Sequence, residues 1–545
     1  MKGLMQDWPL LVHRVLDHSA RWHGEREIIS RTVEGPIHRE TYRDLDRRSR
    51  ALASAVQAKL GVKEGDIIAT MAWNGYRHME IWYGIMSLGA VVHTLNPRLF
   101  ADQLTYIVNH AEDQWIFIDL TFVPLFEKLQ ATMPSVKGFV IMTDAAHMPA
   151  STTLKNPVCY EDLIAQGDAT FKWPALDENT ACGLCYTSGT TGKPKGVLYS
   201  HRSNVLHGLT VTTVDGLGVC SADTVLAVVP MFHANSWGLA HAGPMAGANL
   251  VMPGPKLDGA SVCELLITEK VTMSAAVPTI WFMLLQHLEA NPHITLPDLE
   301  RVAIGGSSCP EALMRAFKTK YDVDVIHAWG MTETSPLGAI CQPKGSLQHL
   351  NDEDLWKQRV KQGRSLFGVE MKLTDDEDKS LAHDGKAFGR LKIKGPWVAE
   401  SYFKNEGNEA FNAEGWFDTG DVATIDEWGY MQITDRSKDV IKSGGEWISS
   451  IELENAAISC AGVQEAAAIG LPHPKWDERP LLIIVRKPGA DVSKEQVMAH
   501  LDGKIAKWWM PDDVTFAEEI PHTATGKISK LQLREAFKNY RLPTV

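Results

Sequence analysis

The sequence predicts an α/β protein, with a large N-terminal domain of two parallel-sheet α/β halves plus a small β-rich subdomain, followed by an α+β C-terminal domain. Three observations lead there. Short apolar runs alternate with stretches of helical period over residues 66–142 and again over 224–328, the pattern of parallel strands joined by covering helices. From about Gly363 the texture turns to short runs such as VEMKLT, GRLKIKG and YMQIT between Gly, Asp and Asn turns, which marks the β-rich subdomain. After Arg436 the runs AAAIGLP and LLIIVRK sit among helical stretches, a compact α+β texture. At 545 residues the chain is too long for a single core. The expected domains are 1–435 and 436–545.

From Thr41 the segment TYRDLDRRSRALASAVQAKLG spaces Leu45, Leu52, Val56 and Leu60 along one face and ends at Gly61. That is an amphipathic helix with a glycine stop. A strand at 66–72, a helix at 78–88 and a strand at 90–94 form a βαβ unit, and further strands are expected at 115–119 and 138–142. Residues 144–180 lose the period and read as a surface connection. The second series has strands at 224–229, 249–252, 271–275, 301–304 and 324–328, with helices such as 260–269 and 279–289. Ligands of such sheets gather at the C-terminal ends of the strands. In the last domain, helices are expected from Ile451 and over 497–508.

Composition narrows the function. The net charge of -13, from 54 basic and 67 acidic residues, argues against a nucleic-acid partner. No stretch approaches the roughly 18 apolar residues of a membrane span, and the start MKGLMQDWPLLVHRVLDH lacks a signal-peptide core. No membrane partner and a cytoplasmic location are therefore expected. The eight cysteines are scattered and fit reduced, buried thiols. Cys182 and Cys185 alone form a C-x-x-C, set in an apolar run that reads as strand and not as a redox or metal motif.

The chemistry begins at YTSGTTGKPKG, residues 186–196, directly after that run. Glycines let backbone N–H groups approach an anion, hydroxyls of Thr187, Ser188, Thr190 and Thr191 donate to phosphoryl oxygens, and Lys193 and Lys195 add charge. A Walker A loop needs Ser or Thr after its Lys, whereas Pro194 follows Lys193. The reading is a phosphate clasp between two strands, although an ordinary Gly/Ser/Thr surface loop has the same composition.

Downstream stretches match this clasp in order: PMFHANSWG (230–238), AIGGSS (303–308), HAWGMTE (327–333), WFDTGD (416–421), DRSKD (435–439), KSGGEWIS (442–449) and PHTATGKISK (521–530). Taken together they resemble the adenylate-forming superfamily of acyl-CoA synthetases, luciferases and peptide-synthetase adenylation domains, and the resemblance covers essentially the whole chain. It implies that the clasp, Thr187, Ser188, Gly189, Thr190, Thr191, Gly192 and Lys195, holds ATP phosphates. It adds Gly305, Gly306, Ser307, His327, Ala328, Trp329, Gly330, Met331 and Thr332 to the nucleotide site. Glu333, with Thr187, is implied as a Mg²⁺ ligand, and Asp421 with Arg436 as the ribose site. His233 corresponds to an aromatic gate beside the substrate carboxylate, and Trp237, Gly305 and Gly330 to the acyl pocket. Ser443, Gly444, Gly445, Glu446 and Trp447 correspond to the coenzyme A channel, Lys438 to a hinge of a mobile C-terminal domain, and Lys527 to the lysine that bridges carboxylate and α-phosphate.

The implied reaction is ATP-dependent activation of a carboxylic acid as acyl-AMP, followed by transfer to coenzyme A. The resemblance makes Lys527, Thr332, Glu333 and His233 its catalytic residues and allows a homodimer. The stretches PMFHANSWG, HAWGMTETSPL and KSGGEWISS and the run WWMPD are most similar to medium-chain acyl-CoA synthetases and to methylmercaptopropionate-CoA ligases. That implies a short or medium-chain acid, first of all 3-(methylthio)propionate. A nucleotide-binding regulator without catalysis is the alternative from another class.

Overall fold

The computed structural model describes residues 1, 3–187, 193–444, 446–522 and 528–545, with the side chain of Glu446 left out. The chain packs into two compact units. The first consists of Met1–Thr187, Pro194–Val369 and Lys394–Glu409, and the second contains Glu370–Ile393 and Ala410–Val545.

Two large sheets form the first unit. One is seven-stranded, ordered Pro157–Cys159, Gly138–Ile141, Trp115–Ile118, Ile67–Met71, Val91–Thr94, Ala181–Tyr186 and Gly196–Ser200. All its pairings are parallel except the last. Its strands are apolar on both faces because helices cover both; Val91–Thr94, Trp115–Ile118 and Gly138–Ile141 are buried throughout. The other sheet is nine-stranded, ordered Arg364–Ser365, Leu337–Ile340, Asp324–Gly330, Arg301–Ile304, Met273–Ala276, Thr224–Ala227, Asn249–Met252, Glu27–Arg31 and Ile37–Thr41. Its middle is parallel and its edges antiparallel. Helix starts are fixed locally: Thr41 caps Tyr42–Ala55 in a reciprocal box with Asp44, and Ser200 caps His201–Thr212 with Ser203.

The second unit holds two smaller sheets. Glu370–Thr374, Phe388–Lys394, Phe417–Ile425 and Met431–Arg436 form one. In the other, Glu446–Ile448, Ile441–Ser443, Asp477–Arg486 and Val463–His473 lie in that order, with Asp513–Phe516 parallel to Asp477–Arg486.

Three sequence expectations change. The helix from Thr41 ends at Ala55 and continues as one wider turn, Val56–Leu60, before Gly61 at φ 69°. Within 144–180 the structure builds an edge strand, Pro157–Cys159, and a short helix, Tyr160–Ile164. The helix expected at 497–508 is instead Lys494–Leu501, because Asp502 is extended and Gly503 is left-handed at φ 75°.

Candidate active site

In the first unit the neck of the clasp is closed by two bonds: Thr187 N–H donates to Lys195 O at 2.9 Å, and Lys195 N–H to Thr187 Oγ1 at 3.1 Å. Ser188, Gly189, Thr190, Thr191 and Gly192 lie outside the described residues. The Lys195 ammonium sits 4.8 Å above the Tyr402 ring and 3.6 Å from Glu409. Tyr402 Oη in turn donates to Glu333 Oε1 at 2.6 Å. Burial, and then the Glu333 charge, push the Tyr402 phenol well above its ordinary range, so it remains a donor.

Thr332 and Glu333 are buried where the strand Asp324–Gly330 gives way to a tight turn. Tyr199 Oη donates to Thr332 O at 2.7 Å, and Glu333 O accepts from Ala399 N–H at 2.8 Å. Gly330 is required at the bend: a Cβ there would lie 1.9 Å from Pro336 O. Neither Tyr199 nor Tyr402 is signalled by a motif; each is a single aromatic outside the recognised stretches. His327, expected at the nucleotide, turns its Nδ1 to Val360 O at 2.9 Å, and burial lowers its pKa to about 4. It therefore stays neutral and braces the strand. Trp329 and Ala328 are buried beside it, and Met331 is half-buried.

Trp237 meets the AIGGSS loop. A Cβ on Gly305 would come within 3.1 Å of the Trp237 ring and 2.9 Å of Ala328 O, and one on Gly306, at φ 80°, within 3.8 Å of the same ring. The two glycines thus let the indole approach the backbone closely, while Ser307 is exposed. The turn that delivers the indole is left-handed over four non-glycine residues: Ala234, Asn235, Ser236 and Trp237 have φ of 44°, 55°, 52° and 51°. Such backbone costs about 1–2 kcal/mol per residue, so surrounding contacts must hold it. His233, half-buried, closes the preceding turn through its N–H to Pro230 O at 3.1 Å.

In the second unit Asp421 and Arg436 stand opposite each other on neighbouring antiparallel strands, with Arg436 Nε 2.8 Å from Asp421 Oδ1. Asp421 is buried and Arg436 half-buried. Lys438 is exposed two residues further on, and its carbonyl accepts from Arg534 at 3.3 Å. Ile441–Ser443 pairs antiparallel with Glu446–Ile448, and Gly444, at φ 62°, donates its N–H to Trp476 O at 2.7 Å. Ser443 Oγ accepts from Arg479, which also binds Asp512 at 2.6 Å. Trp447 packs on Phe388, with centroids 5.6 Å apart. Gly445 and Lys527 lie outside the described residues.

Glu333 suits a Mg²⁺ ion that arrives with nucleotide phosphates, because a hard cation that keeps most of its waters needs only one buried carboxylate. Among the described residues no group of three or more His, Cys, Asp or Glu is arranged to hold a metal. The C-x-x-C is structural: both thiols are buried, Cys182 accepts from Asn204 Nδ2 at 3.2 Å, and burial pushes it up to about 12. None of the described helices is long and apolar enough to cross a membrane.

The AMP-binding enzyme family matches residues 16–403, and the AMP-binding enzyme C-terminal domain matches 452–527. Over 539 residues the chain is 48% identical to a 3-methylmercaptopropionyl-CoA ligase of Ruegeria lacuscaerulensis, covering 99% of both chains. It is 46% identical, over 98% of both, to a medium-chain-fatty-acid–CoA ligase of Ectopseudomonas oleovorans. The crystal structure of the anthranilate CoA ligase AuaEII in complex with anthranoyl-AMP superposes with a TM-score of 0.85 at 26% identity, over 98% of this chain and 99% of that one. By the family match and these full-length likenesses, the chain belongs to the AMP-binding enzymes.

Proposed function

We propose that this AMP-binding enzyme is an ATP-dependent acyl-CoA ligase for a short or medium-chain carboxylic acid, with 3-(methylthio)propionate as the favoured substrate. The observation that carries the substrate reading is the Trp237 indole lying on Gly305 and Gly306, which bounds the space for an acyl chain. The 48% likeness to a 3-methylmercaptopropionyl-CoA ligase supports it. The 46% likeness to a medium-chain-fatty-acid–CoA ligase favours longer straight-chain acids as the second reading.

In the first half-reaction a carboxylate oxygen of the acid attacks the α-phosphorus of ATP, and the bond to the β-phosphate oxygen breaks, giving acyl-AMP and pyrophosphate. Lys527 stands between the two anionic reactants and offsets their repulsion. Thr332 and the clasp hold phosphate oxygens, Asp421 accepts from both ribose hydroxyls, and Arg436 keeps that carboxylate in place. Thr187 and Glu333 would hold Mg²⁺, which would supply positive charge to neutralise the phosphates. His233 stands beside the substrate carboxylate. In the second half-reaction the coenzyme A sulfur attacks the acyl carbon and AMP leaves, with the pantetheine arm running past Ser443, Gly444, Gly445, Glu446 and Trp447. Residues 436–545 turn about Lys438 between the steps, so that the position held by Lys527 is vacated for the thiol. A cytoplasmic location belongs to the proposal, supported by eight free cysteines of which seven are buried.

The test is coenzyme A consumption across a carboxylate panel, with Lys527→Ala as control. Fastest turnover of a four- to six-atom thioether or straight-chain acid, and loss of pyrophosphate exchange in the control, is the expected result. Comparable turnover of palmitate would sink the substrate reading, and unchanged exchange in Lys527→Ala would sink the role assignments.

A further inference from the structure

The strained turn that carries Trp237 is clamped from one side by a single helix face. Asn204 and His207 are one turn apart on His201–Thr212 and both are buried. Asn235 Nδ2 donates to Asn204 Oδ1 at 3.1 Å, and Asn204 spends its own N–H on Cys182 Sγ at 3.2 Å. His207 lies against Gly238, where a Cβ would come within 2.6 Å of the imidazole, and Val211 is next along the same face. The imidazole is itself fixed, since Leu337 N–H donates to its Nε2 at 3.1 Å. From the opposite side Ser236 Oγ donates to Val229 O at 2.9 Å, in the chain that leads into the turn.

We infer that Asn204, acting through Asn235, is a positioning residue for acyl-chain selectivity: it locks the left-handed turn 234–238 and so sets how deep a chain reaches before meeting Trp237. Four successive residues at positive φ do not stay so unaided, and only Asn235 among them is a residue type that tolerates the conformation readily. Two side-chain bonds, Asn235 to Asn204 and Ser236 to Val229, oppose relaxation to ordinary backbone. Relaxation would rotate Trp237 off Gly305 and Gly306 and lengthen the accessible space. His207 contributes bulk and no charge, because burial holds its pKa down at about 3. The consequence for selectivity rests on the ligase reading above; the lock itself does not.

Protein labelled with 5-fluorotryptophan provides the readout, with Trp237→Phe assigning the Trp237 ¹⁹F resonance. Asn204→Leu keeps the branched outline and removes the acceptor, and Ser236→Ala removes the second bond with little risk to folding. Both are expected to shift or broaden the Trp237 resonance and to raise kcat/KM for an eight-carbon acid relative to a four-carbon acid by about tenfold, the scale of one methylene in an apolar pocket. Leu284→Ala, in the separate core cluster behind Met273–Ala276, is expected to lower the melting temperature and leave resonance and selectivity alone. An unmoved resonance in both variants, or equal loss for all acids, overturns the inference. If the wild type activates no carboxylate, the ligase reading fails, and the Trp237 resonance still decides whether the lock exists.

Discussion

Tyr402 Oη binds Glu333 Oε1 at 2.6 Å across 69 residues of sequence, with the Lys195 ammonium over its ring. One aromatic thus joins the end of the phosphate clasp to the proposed Mg²⁺ carboxylate. The hydrogen bond fixes the orientation of the Glu333 carboxylate, and Tyr402 cannot give up its proton in so buried a place. Tyr402→Phe is expected to keep the fold, since the ring and the cation–π contact remain. Partners that orient a metal-binding carboxylate are typically worth about 10–100-fold, so the apparent Mg²⁺ affinity measured by titrating ATP binding should fall by at least about tenfold. An unchanged Mg²⁺ dependence would remove Glu333 from the metal role.

The Asp421–Arg436 pair yields a second prediction. Cross-strand register puts the two opposite each other, so Arg436 is held by backbone pairing and orients the carboxylate through Nε. Hydrogen bonds to a charged group contribute about 1.5–3 kcal/mol, which converts to roughly 10–100-fold. Asp421→Asn should lose that much in kcat/KM for ATP, and Arg436→Lys should fall between, because an ammonium replaces a planar fork. Steady-state kinetics with ATP varied at saturating acid and coenzyme A separates these from defects in the acid site.

The parallel strands at the centre of both large sheets are legible in the sequence because they are apolar runs bounded by helix-period segments, and the glycines of the clasp and of AIGGSS stand out by composition. What escapes is long-range. Glu27–Arg31 joins the second sheet beside Asn249–Met252, and nothing local announces a partner 222 residues away in the Glu27 to Asn249 bond. Tyr199, Tyr402 and Asn204 are ordinary residue types whose meaning comes from Thr332, Glu333 and Asn235. The left-handed turn 234–237 is also silent in sequence, because local propensity alone speaks against it and tertiary contacts overrule propensity. The expected helix over 497–508 runs past Gly503, the residue that does signal the observed end at Leu501.

Glu40 makes stability depend on pH. Its carboxylate is buried beside the Glu80 carboxyl, with His38 Nε2 3.8 Å and Arg48 Nε 3.9 Å from its Oε2, and that guanidinium is committed to Glu80 at 2.5 Å and Glu161 at 2.9 Å. Burial raises Glu40 to about 7 and Glu80 to about 8. A carboxyl whose folded pKa lies above its unfolded value holds its proton more tightly when folded. Its contribution to stability is therefore full below about pH 4.5 and is lost as pH rises through about 7. Glu40→Gln, which cannot ionise, should be more stable than wild type at pH 8 by about 2–3 kcal/mol, with little difference at pH 5. Urea midpoints at the two pH values check this, and parallel curves for wild type and variant would contradict it.

Lys530 tests how the segment after Lys527 is anchored. Its side chain is only 10% exposed, lies 2.8 Å from Glu454 Oε1 and donates to Ser450 Oγ, while Asp435 accepts from Ser450 N–H at 2.6 Å. Burial pulls the ammonium down, but Glu454 and Asp435 outweigh it and the net shift is upward, so Lys530 stays charged. Asp435 immediately precedes Arg436, so one cluster braces both the proposed ribose pair and the start of the helix Lys530–Ala536. Removing one partner of such a cluster strands the other, at about 3–5 kcal/mol. Lys530→Met should therefore lower the melting temperature and open amides of Ser450–Ile458 in hydrogen exchange. The loss should be larger at pH 8 than at pH 5.5, because burial raises both stranded carboxyls and acid lets them protonate. Adding Glu454→Gln should restore part of it. If Lys530→Met were as stable as wild type at pH 8, the cluster would not be what holds the helix Lys530–Ala536.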